Sequence, residues 1–512
     1  MCKVQSITTI LLILQFLSSA RSHKLELDPP TLLQDMGPHD QVTVMISFND
    51  YDTLKRIRKA TAESAWWTRA NRTARLSGMR TALKAHADQV QRPILSMLKH
   101  AQGRTLDGTP SIQFHQLWVS NKIVVKFAPK SVLEQLFTFP QVAKIQKDRV
   151  FKWKVPIPSH STMTMREGNS VSQLLRTPLD PYTAPDGSSL NWGANKMHVQ
   201  YFWRKGYIGQ RTSVCVIDTG INIDHEAFPG NFGGWRDFVT FNPTPVDDVG
   251  HGIHCAANVA GKPEIGIAPG TQLSACRACN MKGCGQAALE SCCQWSVCPD
   301  ELYCDTAPNA VSNSWGALDI LGVMGAVDDW MKPYLDMWEY GDTFVAIAAG
   351  NSDTGITCGG ASYPGNSVQA CAVGSTDMDD KVSDYSNRGP TVSSLAAGET
   401  KPNCVAPGRD VYGAWIFGPH SYVTMSGTSM ATPMVAGIAL LIKSACPSLT
   451  RDEILDVMCR GAVRLTGTCD FLASYLYGAT RPNIDAGCGR PDMKKIFDIL
   501  YNECFSLEPP YQ

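Results

Sequence analysis

The chain has 512 residues, 44% of them hydrophobic and 18% charged, which is ample for one large core plus a smaller domain and excludes a disordered protein. Its formal net charge of −1 excludes partners held mainly by bulk charge, so neither nucleic acid nor an anionic membrane surface is expected.

Residues 1–22 read as a secretory signal peptide. Lys3 precedes an apolar run from Ile7 to Leu17, and the small residues Ser18-Ser19-Ala20 follow it. The run is too short to span a bilayer, and a short buried helix is the alternative. No other stretch approaches about 18 uninterrupted apolar residues, so the expected protein is secreted, extracellular and without a membrane span.

Residues 41–153 hold no cysteine and are basic in their middle. "QVTVMISF" is predicted as a strand, and the long stretch from Thr53 to Leu98 is rich in helix formers. "NKIVVKFAP" alternates like a second strand, "KSVLEQLFTF" predicts a short helix, and "VAKIQKDRVFKWKV" a last strand. The pattern is a small α+β sandwich. Asn71-Arg72-Thr73 within it is a glycosylation sequon at Asn71. Residues 154–189 are rich in Pro, Ser and Thr without periodicity and read as a linker.

Residues 190–505 have an α/β texture. "TSVCVID", "FVAIAAG" and "VQACAVG" suit buried parallel strands that end in glycine-rich or polar turns, where open α/β sheets place their ligands. Of 18 cysteines, 17 lie between Cys215 and Cys504, a density that implies disulfides in an oxidising compartment and, being odd, at least one free thiol. The cluster from Cys276 to Cys304 is expected to be a locally stapled insertion, with a zinc site as the rival reading.

Ser429 begins the most apolar helix of the chain, in "SGTSMATPMVAGIALLI". A serine there is an N-cap in the plain reading. Its small neighbours leave the hydroxyl approachable, and the positive end of the helix favours a developing oxyanion. A nucleophilic serine needs a base, and the base needs an orienting acid. His251, between two glycines in "GHGIHCA", is the candidate base, although His254 three residues on makes a metal pair conceivable. Asp218 closes the apolar run "VCVID" and needs a buried partner that a histidine N–H would supply. Asp224, Asp247 and Asp248 read as solvated loop carboxylates.

In chain order, "VIDTG", "GHGIHCA" and "SGTSMATP" resemble the subtilisin-like serine proteases, the subtilases. The resemblance covers roughly residues 190 to 504 and looks closest to the bacillopeptidase F-like branch. It implies that Asp218 orients the imidazole, His251 carries the proton and Ser429 attacks the scissile carbonyl. "AIAAGNSD" is similar to the segment carrying the oxyanion asparagine, which implies that role for Asn351, otherwise a turn residue. By the same likeness Ser314, Trp315 and Gly316 flank one side of a substrate strand, and Ala348, Ala349 and Gly350 the other. The implied fold is a mostly parallel sheet flanked by helices, preceded by a small α+β ferredoxin-like propeptide domain at 41–153. That propeptide would act as intramolecular chaperone and inhibitor, with the maturation site in the linker. No cofactor is implied for the chemistry and no catalytic metal. Structural calcium is common in the family, but no ligand loop can be traced. Polypeptides are the implied substrates.

Two departures from the family pattern, Ile253 for Thr and Met434 for His, fall where no chemistry is done. Cys255, one helical turn after His251, is the leading candidate for the unpaired thiol. A catalytically silent binding scaffold and a dibasic-specific processing protease are the alternatives.

Overall fold

The computed structural model describes residues 29–504, apart from 38, 65–70, 104–110, 153–190, 229, 263–264, 318–328, 353–357, 359, 390, 392–398, 467–468 and 470–482. The signal peptide and the linker expected from the sequence lie outside the described residues. Contacts divide the chain into two compact units. One holds the residues up to Thr53 with His86–Gln116 and Asn121–Asp148, and the other holds Leu54–Ala85, Leu117–Ser120 and the chain from Arg149 onward.

The first unit is a four-stranded sheet in the order β2-β3-β1-β4, built from Gln41–Phe48 (β1), Gln113–Leu117 (β2), Lys122–Pro129 (β3) and Val142–Lys147 (β4). β1 runs antiparallel to both β3 and β4. Alternation along β1 buries Val44, Ile46 and Phe48, which join Ile123, Val125 and Ile145 in one core with Ile94 and Leu98 of a helix. The long helical stretch of the sequence is two helices, Tyr51–Ala62 (α1) and Arg72–Ala101 (α2), rather than one. β2 was not expected, and the last predicted strand divides. Its first part is β4, while Val150–Phe151 (β5) pairs in the second unit.

The second unit is built on a seven-stranded sheet in the order β14-β13-β12-β11-β6-β8-β7. Its strands are Ser213–Asp218 (β6), Phe232–Asp237 (β7), Gln272–Arg277 (β8), Ala310–Asn313 (β11), Phe344–Ala348 (β12), Cys371–Thr376 (β13) and Cys404–Pro407 (β14). All of the neighbouring pairs are parallel. A hairpin of Cys279–Asn280 (β9) and Gly283–Gly285 (β10) follows β8. The helices that matter for the site are His251–Ala260 (α3), Gln286–Val297 (α4), Lys332–Tyr340 (α5) and Thr428–Ala445 (α6).

Helix α6 is buried from Thr428 through Ile442 and packs against α3 and strands β11 to β14. Each fully enclosed Leu, Ile or Val on it contributes roughly 1.5–3 kcal/mol. By length and apolarity α6 could cross a membrane, but 89% of its apolar window is buried inside the protein, so it is a core helix. Six disulfides join described cysteines. Cys276–Cys292, Cys279–Cys284 and Cys298–Cys304 staple the insertion, which leaves Cys293 as its one free thiol and so leaves no set of thiolates there for zinc. Cys358–Cys469, Cys446–Cys504 and Cys459–Cys488 tie the C-terminal part. Cys215, Cys255, Cys293, Cys371 and Cys404 are free and buried, so Cys255 is one of five free thiols.

Candidate active site

Strand β6 delivers Asp218 to the carboxyl end of the sheet, fully buried. Its Oδ1 accepts from Thr219 N at 2.7 Å and lies 2.8 Å from His251 Nδ1. A carboxylate in that position fixes the imidazole proton on Nδ1 and leaves Nε2 as the basic nitrogen. Burial opposes protonation of His251, but the Asp218 charge outweighs it and holds the imidazole well above its ordinary value. Burial pushes the Cys255 thiol up, so Cys255 is uncharged at neutral pH and Asp218 is the charge that acts.

The two glycines around His251 let its helix press against the turn after β6. Gly250 has φ 98°, and a Cβ there would lie 2.5 Å from the Trp415 ring. A Cβ on Gly252 would lie 2.4 Å from Gly220 O, and Gly252 N donates to Thr219 Oγ1 at 2.8 Å. Asp247 is not solvated, as the sequence reading had it. It is buried, Oδ1 accepting from Val249 N and Gly250 N and Oδ2 from Ile253 N, each at 2.9 Å. Burial raises its carboxyl, while the backbone donors at the helix start pull the other way. The signal was present in "DDVGHG", an Asp in capping position before a helix. Asp248 does reach solvent, and Arg277 Nη2 donates to both of its carboxylate oxygens at 2.8 Å.

Ser429 is the second residue of α6 and nearly buried. Its hydroxyl donates to Ser314 O at 3.1 Å, and the Ser314 hydroxyl returns a bond to Ser429 O at 2.9 Å. Cys255 ties the two halves together, its Sγ lying 3.8 Å from His251 Nδ1 and 3.4 Å from Ser429 O. Asn351 is exposed, and its Oδ1 accepts from Thr428 N at 2.9 Å and Thr428 Oγ1 at 3.0 Å. With the amide oxygen so occupied, its NH₂ is turned away from Thr428. Thr219 and Thr428 were not singled out in the sequence, because a hydroxyl that positions a neighbour leaves no pattern of its own.

The residues expected to flank a substrate have these surroundings. Trp315 is buried and stacks on Trp330, ring centroids 6.5 Å apart, and Gly316 follows it with little room for a side chain. In the segment Ala348–Gly350, Ala349 N donates to Val373 O, Ala349 O accepts from Ser362 N, and Gly350 O accepts from Asn387 N. β10 carries β5 antiparallel, Gly285 opposite Val150 and Cys284 opposite Phe151. Gln286 N donates to Arg149 O at 2.8 Å, and the Phe151 ring stacks on Trp330 at 5.6 Å. Asn71 is exposed, and its Oδ1 caps α2 by accepting from Ala74 N at 2.9 Å. Among the described residues, one group of metal-ligating side chains lies together, Asp218, His251 and Cys255, and it is this same hydrogen-bonded cluster.

The Subtilase family pattern, peptidase S8, matches residues 209–485. Bacillopeptidase F of Bacillus subtilis is 29% identical over 474 residues, covering 85% of this chain and 30% of that protein. Serine protease AprX of Bacillus subtilis is 33% identical over 281 residues, 49% of this chain and 61% of that protein. Thermitase of Thermoactinomyces vulgaris is 32% identical over 277 residues, 52% of this chain and 86% of that protein. The chain thus spans less than a third of bacillopeptidase F and under two thirds of AprX. The matched region contains the parallel sheet, Asp218, His251, Asn351 and Ser429, and the chain belongs to the subtilase family.

Proposed function

We propose that the protein is a secreted serine endopeptidase that hydrolyses polypeptides through Asp218, His251 and Ser429 and is made as a self-processed zymogen. The observation that carries this reading is the buried Asp218–His251 pair at 2.8 Å, joined through Cys255 to the helix end that bears Ser429. His251 Nε2 takes the Ser429 proton as the oxygen attacks the scissile carbonyl, and the Asp218 charge stabilises the imidazolium. The tetrahedral oxyanion is met by the Asn351 amide and the backbone N–H of Ser429, at the positive end of α6. The chemistry uses side chains and backbone alone.

The same reading makes residues 41–153 a pro-segment and places the maturation cut in 154–189. Support comes from β5, the pro-segment's own chain added as a strand to β10 with Phe151 on Trp330, as an extended peptide would add. Six disulfides within the second unit suit an exported protein. The test is a fluorophosphonate probe on secreted protein: one adduct, on the peptide containing Ser429, is expected. A protein that takes no label would place the family fold here in a binding role.

Two further results follow from this site. Asn351→Leu removes one oxyanion donor and is expected to lower kcat about 10²–10³-fold with KM little changed, the scale found for such a donor in subtilisin. A loss confined to KM would show that Asn351 only holds Thr428. An organomercurial is expected to inhibit slowly, because Cys255 is buried beneath His251, and Cys255→Ala should abolish the inhibition. Equal sensitivity in Cys255→Ala would move the reactive thiol elsewhere.

A further inference from the structure

The first half of α2 lies in the same compact unit as the seven-stranded sheet. One residue there is engaged far more heavily than a helix start needs. Arg72 donates from Nε to Gly341 O, from Nη1 to Ala307 O at 2.8 Å, and from Nη2 to Pro308 O and to Thr343 Oγ1 at 3.1 Å. Gly341 caps the C-terminal end of α5, where the last carbonyls lack partners within the helix and carry partial negative charge. Arg75 reaches Tyr340 O at 3.4 Å, and Ser77 Oγ donates to Tyr303 O. Leu76 packs on Gly341, where an added Cβ would lie 2.9 Å from its methyl. Leu76, Met79 and Leu83 are buried and continue the Arg72 face at helical spacing. Burial lowers the Arg72 guanidinium only to about 10, so it stays charged at neutral pH.

The location matters as much as the bonds. Ala307 and Pro308 lead into β11 at Ala310, and Gly341 and Thr343 lead into β12 at Phe344. Arg72 therefore clamps the amino ends of two neighbouring strands, whereas Asp218, Ser314 and Asn351 lie at carboxyl ends of β6, β11 and β12. A strand of four or five residues separates the ends by roughly 13–17 Å. A peptide bound at those carboxyl ends would not touch this clamp.

We propose that Arg72 is the latch by which the pro-segment, once the linker is cut, is held on the catalytic domain at a point away from the catalytic residues. The inference rests on reading residues 41–153 as a pro-segment. The cluster of carbonyls and one hydroxyl takes the planar fork of a guanidinium, and a lysine ammonium cannot serve acceptors spread over that arc.

The decisive measurement is release of the pro-segment from self-cleaved secreted protein, followed by size-exclusion chromatography and mass spectrometry after dilution. Wild type is expected to co-elute as a complex, and saturating peptide substrate should not hasten its release. Arg72→Lys and Arg72→Ala should release the segment at least tenfold faster, with kcat of the freed enzyme unchanged. Equal release rates for all three would overturn the latch. In the uncut Ser429→Ala chain, amides of residues 72–85 should exchange hydrogen at least tenfold faster once Arg72→Lys is added, and unchanged exchange would also overturn it. This second assay works even if wild type proves unable to cleave itself, a result that counts against the zymogen reading and not against the contact.

Discussion

Ser429→Ala is expected to lower kcat on peptide substrates about 10⁶-fold, the scale at which subtilisin responds to loss of its nucleophile. The fold should survive. The Ser429 hydroxyl donates to Ser314 O at the helix start, and the second turn of α6 is held by buried apolar side chains. A second consequence tests the zymogen reading. Intact mass of secreted Ser429→Ala should show the chain still carrying residues 41–153, while wild type has lost them. A Ser429→Ala protein cut at the wild-type position in a protease-free host would assign maturation to another enzyme. Retention of more than about one per cent of wild-type turnover would assign the nucleophile elsewhere.

Asp218→Asn is expected to cost about 10⁴-fold in kcat at neutral pH, with KM little changed. Asp218 Oδ1 now accepts from both Thr219 N and His251 Nδ1. An asparagine that turns its NH₂ toward the ring forces the proton onto Nε2, the nitrogen that must be free to act as base. The sign of the pH effect follows from the raised His251 value. The base works only when neutral, so wild-type kcat/KM should climb as pH rises through that raised value and be lost on the acid side. Without the Asp218 charge, burial is left to lower the imidazole. The rising limb of the residual activity should therefore move to lower pH. A limb that stays in place would show that Asp218 does not set the protonation of His251.

The parts of the site read most easily were those where covalent order and local chemistry coincide. Asp218 closing an apolar run, His251 between glycines and Ser429 before an apolar helix are each set within a few residues of chain. The glycines beside His251 were legible as neighbours in the chain, but what they make room for, the Trp415 ring at Gly250 and Gly220 O at Gly252, is supplied by the fold. Asp247 was misread because its acceptors are spent on backbone N–H groups of a helix start, and only the folded helix reveals that use. The main-chain partners of Ala348–Gly350 were equally out of reach of the sequence, since Val373, Ser362 and Asn387 come from three separate loops and strands.

By itself the sequence determined the strands at "TSVCVID", "FVAIAAG" and "VQACAVG", the apolar helix that begins beside Ser429, and Asp218, His251 and Ser429 as the candidates for chemistry, because hydrophobic period and motif order are local properties of the chain. The tertiary structure alone decided the pairing of the cysteines, the splitting of "VAKIQKDRVFKWKV" between two sheets, and the seating of Arg72 on carbonyls more than 200 residues away. These are contacts between segments distant along the chain. Their geometry is set by how the sheet stacks its helices, and a side chain's own neighbours carry no record of it.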